Sequence, residues 1–365
     1  MNLNQLTNFL ESIAPLAYQE DYDNSGLIVG DPQKEISKAL ISLDCTEEVL
    51  DEAIQTGCDI VISHHPIVFR GLKKLNGKTY VERVVIKAIK HDIAIYAIHT
   101  NFDNIASGVN AKICEKIGLT QCRILSPKSG LLKKLVTFCP VAQAEKVRDA
   151  LFQAGAGHIG DYAECSFYSA GTGTYKGANH TTPFAGQPGI QHHESEIRIE
   201  VVYPAQLESG LLRVLKQVHP YEEIAFDLYN LSNSLPQIGS GMIGILDKPI
   251  SEELFLRHIK QQFNTPVIRH TALQNKMITR VAVCGGSGSF LLNKAIQAGA
   301  DIFVTSDYKY HEFFDAENRI VIADIGHFES EQFTQDALQE LITKNFPKFV
   351  TRLTSQNTNP INYLI

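Results

Sequence analysis

The pair His64-His65 stands between the apolar run Ile60-Val61-Ile62 and Pro66. Imidazole is the commonest side-chain metal ligand, binding through a neutral ring nitrogen. Pro66 cannot continue a helix and biases His65 towards an extended backbone. Both rings are therefore expected at the carboxyl end of a short buried strand, where α/β proteins keep their ligands. Two further segments offer partners. Asp103 follows His99 by four residues in His99-Thr-Asn-Phe-Asp103, and Glu331 follows His327 by four in His327-Phe-Glu-Ser-Glu331. If residues 327–331 open a helix, the i, i+4 spacing sets His327 and Glu331 side by side. His64, His65, Asp103, His327 and Glu331 are more ligands than one tetrahedral ion takes. They are about right for two ions roughly 3.5–4 Å apart, bridged by a carboxylate. The mixture suits zinc first, with manganese, iron, cobalt and nickel as alternatives; magnesium and calcium prefer all-oxygen cages.

Each piece has a plainer alternative. The histidine pair could be a solvated strand end, Asp103 a helix cap and Glu331 an acid on a solvated helix face. Only the combination favours a metal site. His99 stays outside the primary set, as a ligand, a residue that orients one, or a structural histidine. The stretch Val281-Ala-Val-Cys284-Gly285-Gly286-Ser287-Gly288-Ser289-Phe290 reads as a strand, a Gly-rich turn and a helix start. Such a turn could cradle an anion on backbone N–H groups, or simply turn tightly. It lacks the Gly-Lys-Ser/Thr of a P-loop, the third Gly of a dinucleotide site and the last Gly of a nucleophile elbow. The polar run Asp307–Glu312 could meet a substrate or be a solvated loop.

Strands alternating with helices must carry these residues, which predicts an α/β protein. Leu3, Leu6, Leu10 and Ile13 mark one face of a first helix. Strands are expected at 38–44, 59–63 and 93–99, with helices at 47–55 and 80–91. An internal echo recurs far downstream: Ala53-Ile-Gln-Thr-Gly-Cys-Asp-Ile-Val-Ile-Ser63 against Ala295-Ile-Gln-Ala-Gly-Ala-Asp-Ile-Phe-Val-Thr305. Each copy is followed by a His-x-x-x-carboxylate. This predicts two similar α/β halves, residues 1–130 and 233–365, facing each other across one site. Between them, strands at 133–139, 158–168, 196–203 and 224–231 and helices at 143–154 and 207–218 follow the order β-α-β-β-α-β, with 171–189 as a long loop. That is the order of a ferredoxin-like domain, expected as an insert over residues 131–232.

The 365 residues carry a net charge of −7, with 44% hydrophobic and 20% charged residues, as a soluble globular protein does. The acidic balance gives no indication of nucleic-acid binding. Seven scattered cysteines indicate neither a zinc ribbon nor a disulfide framework. The N-terminus lacks the basic start and apolar core of a signal peptide, and no uncharged apolar run reaches membrane-spanning length. A cytoplasmic setting is expected.

Taken together, Ser63-His64-His65-Pro66, His99-Thr-Asn-Phe-Asp103, Cys284–Phe290 and Asp324-Ile-Gly-His327-Phe-Glu-Ser-Glu331 resemble the Nif-three-like family, the GTP cyclohydrolase 1 type 2 homologues. The resemblance covers nearly the whole chain. It implies that His64, His65, Asp103, His327 and Glu331 are ligands of a dinuclear centre, and that the chain forms a toroidal homohexamer with its metal sites facing the inner cavity. Gly171-Thr-Gly-Thr and His219-Pro-Tyr-Glu-Glu223 resemble the PII-like domain of longer bacterial members. Tyr22 departs from the family, which usually has Trp before Asp23-Asn24. The expected function is metal-dependent hydrolysis of a small nucleotide-like substrate, by cyclohydrolase or phosphoester chemistry, with no catalytic residue named beyond the ligands. The rival is a non-catalytic metal-binding ring or metal chaperone whose insert senses a ligand.

Overall fold

A continuous apolar run along a strand buries both faces of a sheet, and this chain has several such runs. A computed structural model describes residues 1–364. Its strands are β1 (Gly26–Val29), β2 (Lys38–Ser42), β3 (Ile60–Ser63), β4 (Ala94–Ala97), β5 (Leu119–Ser129), β6 (Leu132–Pro140), β7 (Ser166–Tyr175), β8 (His192–Pro204), β9 (Phe226–Leu231), β10 (Ser234–Ser251), β11 (Arg269–His270), β12 (Met277–Ser287), β13 (Ile302–Ser306), β14 (Val321–Asp324) and β15 (Val350–Leu353). The helices are α1 (Leu3–Ile13), α2 (Glu47–Thr56), α3 (Tyr80–Lys90), α4 (Thr100–Asp103), α5 (Val109–Ile117), α6 (Ala144–Gln153), α7 (Glu208–Val218), α8 (Glu252–Gln262), α9 (Leu292–Gln297), α10 (His327–Glu331) and α11 (Thr334–Asn345). The chain is thus a mixed α/β protein with several sheets. It divides into two compact units: Met1–Pro127 with Pro236–Ile365, and Lys128–Leu235.

The first unit holds two sheets, in the orders β1-β4-β3-β2-β15 and β11-β14-β13-β12-β10-β5. In one, β2, β3 and β4 are parallel and β1 lies antiparallel to β4. In the other, β12, β13 and β14 are parallel and β11 lies antiparallel to β14. Ile60 and Ile62 of β3 and Ile302 and Val304 of β13 join one shared core with Leu3, Leu6 and Leu10 of α1. The intervening Val61 packs instead with Val49 and Ala53 of α2 and Val84 of α3, and Phe303 with Leu292 and Ala295 of α9. Both faces of each parallel strand are therefore covered, as parallel sheets require. Thr46 caps α2 by accepting from the Val49 N–H, and Gly57 ends the helix in the left-handed region at φ 66°. The chain then turns straight into β3, which carries His64 and His65 at its carboxyl end.

In the second unit the sheet order is β7-β8-β6-β9, with all neighbours antiparallel. Ile199, Val201 and Tyr203 of β8 pack with Val147 and Leu151 of α6 and Leu211 and Leu215 of α7. The strand expected over 158–168 is displaced: β7 runs from Ser166 to Tyr175, through glycines read as loop. Most of its residues are exposed, so the alternation that marks a half-buried strand is missing there.

All seven cysteines are free thiols. Among the described residues no helix is long and apolar enough to cross a membrane.

Candidate metal centre

The candidate ligands all follow the carboxyl ends of parallel strands. The end of β2 leads to Asp44, that of β3 to His64 and His65, and that of β4 to His99 and, through the single turn of α4, to Asp103. From the other sheet, β12 carries Gly285 and Gly286, β13 leads to Asp307, and β14 leads to His327–Glu331. The His327 Nε2 lies 3.1 Å from Glu331 Oε2, as expected for i, i+4 partners on a helix.

All five predicted residues come together. They form two groups that share Glu331: His65, His327 and Glu331, and His64, Asp103 and Glu331. Within the first, Glu331 Oε2 is 3.0 Å from His65 Nε2, and the two Nε2 atoms are 3.3 Å apart. An ion bound tetrahedrally at about 2.0–2.1 Å spaces its ligands roughly 3.3 Å apart, close to all three edges of this triangle. Within the second, His64 Nε2 lies 3.6 Å from Asp103 Oδ1 and 3.8 Å from Glu331 Oε2.

The second group supplies a sharper test of whether these residues fit a metal. His64 is fully buried, and its Nδ1 lies 2.8 Å from the Ile98 carbonyl oxygen. A carbonyl only accepts, so Nδ1 carries the proton and donates it. In the neutral ring Nε2 is then a bare lone pair. Neither that nitrogen nor Asp103 Oδ1 has a hydrogen-bond partner, and both are buried. Orphaned acceptors of this kind are costly, and a cation between them satisfies both. The residues fit a divalent ion.

The remaining histidines are held in the same manner. His65 Nδ1 is 2.8 Å from Asp44 Oδ1, His327 Nδ1 is 2.7 Å from Asp307 Oδ2, and His99 Nδ1 is 2.7 Å from Asp23 Oδ1. An oxygen on the far ring nitrogen fixes tautomer and orientation, the usual support of a metal-binding histidine. Nothing in the local sequence marks Asp44 or Asp23 for this role, and Asp307 orients His327 instead of meeting a substrate. Their one visible signal is an acid beside a strand end, shared with many capping residues. His99 joins the cluster, with its ring centroid 5.3 Å from those of both His64 and His65.

Electrostatics reflect the crowding. Burial pushes the Asp103 carboxyl up to about 7, with help from the Glu331 charge. Burial disfavours the charged form of His65, but hydrogen bonds to Asp44 and Glu331 outweigh it and raise the ring to about 10. For His327 burial is likewise overcome, by the Glu331 charge and the Asp307 hydrogen bond, to about 11. Burial would raise Glu331, yet the surrounding histidines hold it well below the usual carboxylate range. Without a metal, protons must balance the acids. Two protonated rings, however, set donor against donor across the 3.3 Å gap between their Nε2 atoms.

The Gly-rich stretch leads into a helical turn at Ser289–Leu291 and on into α9, as expected, but its first two glycine N–H groups are taken up within the protein and not left for an anion. Strand β12 continues through Ser287. The Gly285 N–H donates to Asn110 Oδ1 and the Gly286 N–H to Ser330 Oγ, both at 3.0 Å. Gly286 has φ +61°, and a Cβ there would lie 2.4 Å from Glu331 Oε1. Its role is to leave room for the shared carboxylate.

A cavity of about 410 Å³ opens onto the cluster. Tyr22, Phe69 and Phe290 line it and are all exposed. The rings of Tyr22 and Phe69 are 6.1 Å apart, and Phe69 is 6.0 Å from His99. No Lys or Arg is among its described lining residues.

The pattern of the Duf34/NIF3 (NGG1p interacting factor 3) family matches residues 1–360. The chain belongs to this family. Among Duf34/NIF3 relatives, the GTP cyclohydrolase 1 type 2 homolog of Halalkalibacterium halodurans is 37% identical, over 97% of this chain and 96% of its own. The Bacillus subtilis protein of the same name is 34% identical, over 100% of this chain and 99% of its own. A crystal structure of a Bacillus cereus protein related to NIF3 superposes with a TM-score of 0.81 at 36% identity, covering 100% of this chain and 99% of that one.

Proposed function

We propose that the first unit binds two divalent metal ions per chain, zinc first among candidates, and hydrolyses a small nucleotide-like substrate. Ligands would be His64 and Asp103 for one ion and His65 and His327 for the other, with Glu331 shared. The observation that carries this reading is the buried, partnerless pair of His64 Nε2 and Asp103 Oδ1 beside Glu331. What bound ions supply in such a setting is Lewis acidity, which polarises the bond under attack and eases deprotonation of water.

The chain's own residues do the rest. The Ile98 carbonyl, Asp44 and Asp307 hold three imidazoles with Nε2 inward. Tyr22, Phe69 and Phe290 offer ring faces on which a flat heterocycle can stack. With no lining Lys or Arg, a phosphate group would depend on the metals for its countercharge. The cyclohydrolase name of the relatives agrees with a purine-like substrate, as do the aromatic walls.

Three further parts of the proposal concern organisation. The matching runs β1-β4-β3-β2 and β11-β14-β13-β12 support a pair of equivalent halves. The order β6-α6-β7-β8-α7-β9 supports an inserted PII-like, ferredoxin-like domain over residues 131–232. A toroidal homohexamer follows from the family resemblance, and a cytoplasmic setting agrees with the seven free thiols.

Elemental analysis of dialysed protein, followed by a screen of the metal-loaded form against nucleotides and phosphoesters, tests the function. About two ions per chain and metal-dependent turnover are expected. Tight metal retention without turnover of any substrate would favour a storage or scaffold role instead. Light scattering tests the hexamer.

A further inference from the structure

The second unit has a cavity of its own, about 700 Å³ in volume, within the range of small-molecule sites. It lies over the sheet face opposite to α6 and α7. On β8, Ile197, Ile199 and Val201 pack with the helices, whereas Glu196 and Arg198 line the cavity. Glu196 is only 7% exposed. Its Oε1 accepts from the Tyr221 hydroxyl at 2.6 Å. Its Oε2 has no donor, and no Lys or Arg pairs with it, among the described residues. Arg198, the nearest cation along the strand, is turned to Glu200, with Nε 2.9 Å from Oε1. His219 is spent on structure: its Nε2 bonds the Phe138 carbonyl, and its Nδ1 accepts from the Tyr221 N–H. A carboxylate so buried ordinarily has a countercharge.

Room has been left around it. Gly173 lies directly beneath the carboxylate, where a Cβ would come within 2.0 Å of Oε2. Gly171, paired with Glu196 across the strands, would meet nothing within 4 Å if given a Cβ. The walls are aromatic: Tyr221 is 5.9 Å from Tyr175 and 6.1 Å from Phe184, ring to ring. At the margin Glu222 and Glu223 add negative charge and Lys176 positive charge, which leaves the acids in the majority over Lys176 and Arg198. These acids do not form a metal site, for none is among the described groups whose ligand atoms converge.

We propose that this cavity binds a small organic cation, a protonated or quaternary amine on an apolar body, with its charge against Glu196 and the rings of Tyr175, Phe184 and Tyr221. Aromatic faces attract cations through their quadrupoles, and the volume exceeds what an ammonium group alone would fill. The assignment stands apart from the metal centre and does not depend on its chemistry.

The test uses the full-length protein, with 2-phenylethylamine and tetramethylammonium as probes and neutral 2-phenylethanol as the matched control, measured by titration calorimetry. Both cations should bind at roughly millimolar concentration or tighter, and the alcohol at least tenfold more weakly than the amine. Glu196→Gln keeps the shape and removes the charge; Gly171→Leu fills the void and leaves the charge in place. Each should weaken amine binding at least tenfold while metal content and melting temperature stay as in the parent. Equal binding of alcohol and amine would overturn the proposal, as would undiminished amine binding by either variant, or no binding of either cation. If Glu196→Gln fails to fold, Gly171→Leu and the amine–alcohol comparison still decide.

Discussion

At their amino ends, strands β3 and β13 are held in the same way. Asp59 accepts from the N–H groups of Ser37 at 2.7 Å and Lys38 at 3.0 Å, and Asp301 from those of Thr279 and Arg280, both at 2.8 Å. Each acid thereby ties the start of its strand to the start of the neighbouring parallel strand. At their carboxyl ends the two part company. Strand β3 runs into His64-His65, two inward-facing imidazoles. Strand β13 runs into Ser306-Asp307, where Ser306 donates to the Gly286 carbonyl at 2.6 Å and Asp307 orients His327. One frame thus serves two purposes, one end giving candidate ligands and the other steadying them. The frame depends on acids remote from the cluster, which leaves the carboxyl ends free to differ.

The comparison can be broken most forcefully at the residue both metal groups share. Glu331→Gln should lower metal content from about two ions per chain to below one, whereas His64→Ala or His65→Ala should mainly deplete one group. Full metal retention by Glu331→Gln, measured by elemental analysis, would remove it from the centre. Next in size is Gly286→Ala. Its φ of +61° and the 2.4 Å approach to Glu331 Oε1 predict a loss of about 2 kcal/mol or more. Thermal unfolding should show it, together with weaker metal binding.

The orienting acids allow a finer contrast. Asp44→Asn and Asp307→Asn should each reduce metal affinity about 10- to 100-fold. The larger loss is expected for Asp44, which is the less exposed of the two acids. Competition with a chromogenic chelator reads this directly. The smallest effects belong to the amino ends. Asp59→Asn and Asp301→Asn should each cost about 1–2 kcal/mol and leave metal content unchanged. Burial works against the Asp59 charge, but hydrogen bonds from Ser37 and Lys38 hold its pKa below the ordinary 3.8. A depressed carboxylate stabilises the fold above its unfolded-state pKa. The gap between parent and Asp59→Asn should therefore be full at neutral pH and close as pH falls below 3.8. A gap that widened in acid would contradict the clamp.

Much of this frame was legible because burial writes a period into the chain. Ile60, Val61 and Ile62 face alternate cores, and Thr46 and Gly57 mark the ends of α2 with ordinary capping chemistry. The five clustered residues were legible because imidazoles and carboxylates recur at strand ends. Asp44 and Asp23 were not, since orienting a ring is a matter of where the chain brings an acid, not of its neighbours in sequence. The displacement of strand β7 has a related cause. Gly173 leaves room for Glu196, which lies far along the chain, and only the folded sheet brings the two together.

Glu331 meets a histidine 266 residues before it in the chain. During synthesis, at about 5–20 residues per second, His65 leaves the ribosome well ahead of its partner. The wait is roughly 13 to 53 seconds at those rates. Any nascent or truncated chain that stops short of residue 327 offers the histidine pair without the acid that joins it to the rest. In the proposed centre, assembly of the two metal groups that share Glu331 would wait until the chain has been made through that residue.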